Sequence, residues 1–132
     1  MKKILLVDDD KDLSHSLEAV LKAHGYDVTL AFSAVEGLRA TLALKPDVIV
    51  LDVSMETDTA GFEFVYQIRS KRDSSRYKTV RDTPIILLTA INQVTNFRFS
   101  LNDKESFLPD LSEMLTKPVQ IDVLLNKLKE LT

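Results

Sequence analysis

Residues 46–55 read PDVIVLDVSM, and within them Val48, Ile49, Val50 and Leu51 form an unbroken apolar run that ends in a single carboxylate, Asp52. A run without polar alternation suits a strand covered on both faces, as in parallel sheets flanked by helices. Such a strand meets solvent at its carboxyl end. In open α/β sheets that end is where ligands bind, so an acid placed there is a candidate for chemistry.

Working outward, the same punctuation recurs. Lys3 to Val7 is a short apolar strand running into Asp8, Asp9 and Asp10, the last two of which can cap a helix. That helix carries Leu13, Leu17, Val20, Leu21 and His24 on one face and stops at Gly25, suited to a left-handed turn. Tyr26 to Phe32 alternates as a second strand, and Ser33 caps a helix bearing Val35, Leu38 and Leu42 that must end before Pro46. After Asp52 a polar loop leads to Gly61 and a helix with Phe62, Val65 and Ile68 on its inner side. Arg69 to Thr83 is too polar for core and reads mostly as an exposed extension. Pro84 opens a second apolar run, IILLT, ending at Thr89. From Ile91 to Leu111 the periodicity sets no element boundaries, with Pro109 interrupting it. Met114 to Thr116 is a short fifth strand before Lys117 and Pro118, and Ile121, Leu124, Leu125 and Leu128 face the core from a last helix.

Strands alternating with helices predict one α/β domain over residues 1–132. It is a doubly wound, flavodoxin-like sheet of five parallel strands in the order 2-1-3-4-5, with helices on both faces. A composition of 45% hydrophobic and 28% charged residues is ordinary for a globular chain. No run approaches the about eighteen apolar residues of a membrane helix, and acids follow the N-terminus too soon for a signal peptide. The absence of cysteine excludes disulfides and thiolate metal sites. A cytoplasmic protein without membrane insertion is expected. A net charge of −3 argues against nucleic acid as the main partner.

The predicted order makes strands one and three neighbours, which brings Asp8 and Asp9 to Asp52, with Thr89 and Lys117 on the same rim. Carboxylates 4 Å apart at an effective dielectric of about 20 repel by roughly 4 kcal/mol per pair. Either some hold a proton or a cation sits among them. Hard oxygen ligands in an open cleft suit Mg²⁺ with room for phosphate oxygens. Lys117 supplies a positive charge, the Thr89 hydroxyl a donor, and a carboxylate can serve as a nucleophile towards phosphorus. The constellation reads as phosphoryl transfer to Asp52.

These pieces, LLVDDD with Asp8 and Asp9, IVLDVSM with Asp52, LLTA with Thr89 and TKP with Lys117, resemble the receiver domain of two-component response regulators over essentially the whole chain. The resemblance implies that Asp52 is the phosphoacceptor. It also implies that Asp9 and Asp52 bind Mg²⁺ with the backbone carbonyl of Ser54, and that Asp8 helps through water. Lys117 would pair with the phosphoryl group, Thr89 would act as the switch, and the Lys117–Pro118 peptide would be cis. The donor would be a sensor histidine kinase or histidine phosphotransfer protein, the output an unidentified downstream protein, and nucleic acid would not be contacted directly. Such a protein is a switch more than a turnover enzyme. The chain departs from the family at Glu56, where proline usually follows the methionine, and at Met114, where an aromatic residue usually stands.

Plainer roles exist for each residue. Asp8 to Asp10 can be a capped helix start, Asp52 a loop acid, Thr89 a hydroxyl satisfied by backbone, Lys117 a surface lysine; four such coincidences at four strand ends are improbable together. A calcium loop is rejected because Leu13 and Ala19 stand where Gly and Glu are required. A haloacid-dehalogenase-like phosphatase fails at Asp12, where its motif takes Thr or Val. A receiver-like binding module independent of phosphate is the remaining alternative. The basic residues Arg69, Lys71, Arg72, Arg76, Lys78 and Arg81 read as a solvated face, with docking of an acidic partner as the rival reading.

Overall fold

The computed structural model describes residues 1–52, 60–89 and 113–132. Five strands, β1 (Lys3–Val7), β2 (Asp27–Ala31), β3 (Val48–Asp52), β4 (Ile85–Thr89) and β5 (Glu113–Thr116), form one parallel sheet in the order β2-β1-β3-β4-β5. Helices α1 (Lys11–Ala23), α2 (Ala34–Leu44), α3 (Ala60–Arg69) and α4 (Ile121–Leu131) accompany it, with a 3-10 turn at Lys78–Val80. The expected architecture and strand order are therefore present.

The continuous apolar runs have a simple geometric cause: successive side chains point to opposite faces, and both faces are covered. Leu5, Val7, Ile49, Leu51, Ile85 and Leu87 pack with Phe64, Val65 and Ile68 of α3. Their sequence neighbours Ile4, Leu6, Val48, Val50, Ile86 and Leu88 pack with Leu17 and Leu21 of α1 and with Leu124 and Leu128 of α4. Each such buried aliphatic side chain contributes roughly 1.5–3 kcal/mol relative to exposure.

Local chemistry sets the helix ends. Asp10 caps α1 by accepting from the Leu13 N–H at 3.1 Å, and Ser33 caps α2 by accepting from the Glu36 N–H at 3.1 Å. Gly25 follows α1 at φ +88°, the left-handed conformation its position requires. Lys45, at φ 48°, ends α2 just before Pro46.

The structure refines three sequence expectations. His24, in step with the inner face of α1 but expected at the surface or its boundary, lies at the exposed C-cap with its ring nitrogen 2.9 Å from the Val20 carbonyl, and Ser14 takes an interior place. Val35 is exposed, while Gly37 and Thr41 are buried on α2. Arg69 to Thr83 is not simply an exposed extension, because Tyr77 and Val80 enter the core and Arg69 donates to the Arg81 carbonyl at 2.7 Å. Two well-spaced apolar residues anchor a segment whose composition is otherwise that of a loop. Phe62 and Met114 fall within assigned elements, but their side chains are outside the described residues, as are Ser54, Glu56 and the whole of 91–111.

Gly37 decides how closely α2 approaches the sheet. A Cβ there would lie 2.9 Å from Phe64 Cε2 and 2.9 Å from Val7 Cγ1, and Val7 and Phe64 are both fully buried. Alanine would improve helix propensity by up to about 1 kcal/mol, but overpacking a tight core costs about 1–3 kcal/mol. Gly37→Ala is therefore expected to lose about 1 kcal/mol net in urea unfolding; a gain in stability would show that the contact relaxes freely.

Candidate functional site

The site is assembled by the carboxyl ends of β1, β3, β4 and β5. Asp8 directly follows β1, and its backbone N–H donates to the Ala31 carbonyl at 3.0 Å, extending the pairing with β2 by one residue. Its Oδ1 accepts from the Asp10 N–H at 2.9 Å, which turns the chain into α1. The Ser14 hydroxyl, buried under that turn, donates to the Asp8 carbonyl at 3.5 Å. Sequence reading passed over Ser14, because a serine one turn into a helix carries no signal of what lies above it.

Asp52 is the last residue of β3, paired in register with Leu88, so that Thr89 and its partner Thr116 lie one step further along the neighbouring strands. The Lys117 N–H donates to the Thr89 carbonyl at 2.7 Å and carries the β5 end to the rim, where the Lys117–Pro118 peptide is cis, as the resemblance implies. The Lys117 ammonium then stands 3.2 Å from Asp52 Oδ2 and 3.7 Å from Asp8 Oδ2. One cation thus bridges acids from two neighbouring strands that are 44 residues apart in the chain.

Asp8, Asp52 and Thr89 are buried, whereas Asp9 is exposed. Burial is the main cause that raises the Asp8 carboxyl from 3.8 to about 7. The Asp52 charge and a hydrogen bond shared with Asp52 push the same way; the Asp10 N–H and the Lys117 ammonium oppose them. Even so, Asp8 Oδ2 is a buried oxygen that makes no hydrogen bond among the described residues.

Asp8, Asp9 and Asp52 each offer a carboxylate oxygen, and these oxygens lie within 4.8 Å of one another. An oxygen-only donor set in which the buried Asp8 Oδ2 has the Lys117 ammonium 3.7 Å away but no hydrogen bond fits a hard divalent cation. Of the residues singled out in the sequence, Asp8, Asp9, Asp52, Thr89 and Lys117 are brought to this edge, while Ser54 lies outside the described residues. No helix among the described residues is long and apolar enough to cross a membrane.

Comparison with known proteins follows the same line. A family model described as the response regulator receiver domain matches residues 4–129. The chain is 30% identical over 132 residues to the DNA-binding dual master transcriptional regulator RpaA of Synechocystis, covering 99% of this chain and 49% of that protein. It is 35% identical over 130 residues to the response regulator MprA of Mycobacterium ulcerans, covering 98% of this chain and 49% of that protein. The chain thus spans about half the length of these curated relatives. Among solved structures, the chemotaxis response regulator CheY4 of Vibrio cholerae is 30% identical with a TM-score of 0.77, over 100% of this chain and 99% of that one. A receiver domain of a histidine kinase from Syntrophus aciditrophicus is 26% identical with a TM-score of 0.79, over 99% of this chain and 89% of that one.

Proposed function

The chain belongs to the response regulator receiver domain family of two-component signalling, and from that premise we propose that residues 1–132 form one receiver domain whose Asp52 accepts a phosphoryl group. The observation that carries this reading is the Lys117 ammonium held between the buried carboxylates of Asp52 and Asp8 at adjoining strand ends. A nucleophilic carboxylate, a cation to meet the incoming charge and an oxygen set for a metal stand together at the ligand-binding edge of the sheet.

In the proposed reaction an Asp52 carboxylate oxygen forms a bond to phosphorus while the phosphorus–nitrogen bond of a donor phosphohistidine breaks, and the departing imidazole takes up a proton. Lys117, now 3.2 Å from the Asp52 carboxylate, exchanges that partner for a phosphoryl oxygen. Asp8, Asp9 and Asp52 are the residues that would hold Mg²⁺, which when bound neutralises the phosphoryl oxygens and the crowded acids. The Thr89 hydroxyl, one residue past the register of Asp52, is the donor that would draw towards the new phosphoryl group and relay its presence. The donor is a sensor histidine kinase or a phosphotransfer protein. The output is a changed protein-binding surface, as befits a cytoplasmic switch rather than a turnover enzyme. The DNA binding named for RpaA is a property of that longer protein; direct nucleic-acid contact is not proposed for these residues.

Intact mass after incubation with acetyl phosphate tests the reading. One phosphoryl group is expected with Mg²⁺ and none in EDTA. Absence of both this adduct and Mg²⁺-dependent beryllofluoride binding would favour a module that binds partners without phosphate.

A further inference from the structure

The segment after α3 is a basic stretch that the proposed phosphoryl transfer does not use. Residues 69–81 carry six cationic side chains against one acid, Asp73, in a chain whose net charge is −3. Four of them, Arg69, Lys71, Arg72 and Arg76, line an open groove of about 850 Å³ with the last turns of α3, and none of its lining residues is acidic. That volume falls in the range of about 300–1,000 Å³ typical of small-ligand sites.

The groove has a fixed frame. Tyr77 and Val80 are anchored in the core, Arg69 donates to the Arg81 carbonyl at 2.7 Å, and Arg81 donates to the Arg72 carbonyl at 3.2 Å. The Ser70 and Ser75 hydroxyl oxygens accept from the N–H groups of Arg72 and Tyr77, at 3.4 and 3.2 Å, which leaves each hydroxyl proton to be donated elsewhere. Lys71, Arg72 and Arg76 are exposed, and no ion pair among the described residues engages them. Like charges gathered into one concavity repel, and an anion seated among them would offset that cost. Beside them stands the ring of Tyr66, 57% exposed on the last turns of α3. This groove lies where α3 returns towards the start of β4, so it sits at the opposite edge of the sheet from Asp52.

We propose that this groove binds a nucleoside phosphate, with the phosphates on Arg72, Arg76 and Lys71 and the base stacked on Tyr66. Guanidinium forks match phosphate oxygens, and a solvent-facing aromatic ring offers a surface for a planar base. A long nucleic acid fits less well, because the rest of the chain is net acidic and would repel a polyanion beyond the groove. An acidic peptide such as tetraglutamate has the charge but no aromatic ring to stack on Tyr66.

The test is calorimetric titration of the whole chain with ADP in EDTA, which keeps magnesium chemistry at Asp52 out of the measurement. ADP is expected to bind, to weaken on the order of a hundredfold in Arg72→Ala/Arg76→Ala, and to weaken roughly tenfold in Tyr66→Ala. All three side chains are exposed, and unchanged circular dichroism will verify that the variants fold. Asp52→Asn should bind ADP as the wild type does, which separates this site from the phosphoacceptor. Pyrophosphate should bind more weakly than ADP and be indifferent to Tyr66→Ala. No heat with millimolar ADP, or affinity unchanged in the double variant, would overturn the proposal. So would tighter binding of a tetraglutamate peptide or of a thymidine oligonucleotide than of ADP.

Discussion

Asp52→Asn is expected to take up no phosphoryl group from acetyl phosphate under conditions in which the wild type becomes fully or partly modified. The substitution keeps the shape of the side chain at the end of β3 and removes the second carboxylate oxygen, which is both the proposed nucleophile and the partner of Lys117 at 3.2 Å. An amide is a far weaker nucleophile towards phosphorus, so the loss should be complete rather than graded. Urea unfolding should show the variant folded. Removing one of two facing acids also relieves repulsion against Asp8, so stability without metal should be retained or raised. An adduct of equal yield on the variant would move the acceptor to another residue, and peptide mapping would identify it.

The second large effect is a pH dependence of stability in EDTA. The Asp8 carboxyl titrates at about 7 in the folded chain against 3.8 as its ordinary value. Between these values the folded protein holds a proton that the unfolded chain has released, so stability falls as pH rises from about 4 to about 7 and is level beyond either limit. The size of the fall reads how far burial beside Asp52 raises the Asp8 carboxyl. Mg²⁺ binds the ionised acids, so the stabilisation it confers should be small at pH 5 and several-fold larger in free energy at pH 8. Denaturant midpoints across this range, with and without Mg²⁺, measure both effects. Asp8→Asn should flatten the Asp8 share of the slope, and subtracting its profile removes the titration of the other acids and histidines. A wild-type profile that parallels Asp8→Asn would refute the assignment.

Much of this molecule was legible before any coordinates. Continuous apolar runs with no polar alternation demand cover on both faces, and a chain that alternates them with amphipathic helices has few ways to supply it. That logic reached the sheet order, the caps at Asp10 and Ser33, and the acids at the strand ends. It failed where burial is decided at a distance. Phe64 is fully enclosed because Gly37 of α2 lets the helix approach, and nothing near Phe64 in sequence announces that. Tyr77 and Val80 sit in a stretch dominated by charge, and only the fold supplies the core they plug. His24 and Val35 match a helical period yet face solvent, because periodicity defines a face without saying how wide its cover is.

Residue type alone fixes which chemical groups end each strand, since a carboxylate, a hydroxyl or an ammonium belongs to the side chain itself. Their spacing and their solvation come from the packing of strands and helices far apart in the chain. Asp8 is ordinary as a residue and becomes a raised, hydrogen-bond-poor acid only because β1 and β3 lie side by side and Ser14 and the Asp10 turn close over it. The groove beyond α3 follows the same rule: its charges are visible in the sequence, while the concavity that gathers them depends on two residues anchored in a core built from other strands. Covalent identity is local, but the electrostatic energy of a group depends on distance and dielectric, and both are set by neighbours far away along the chain.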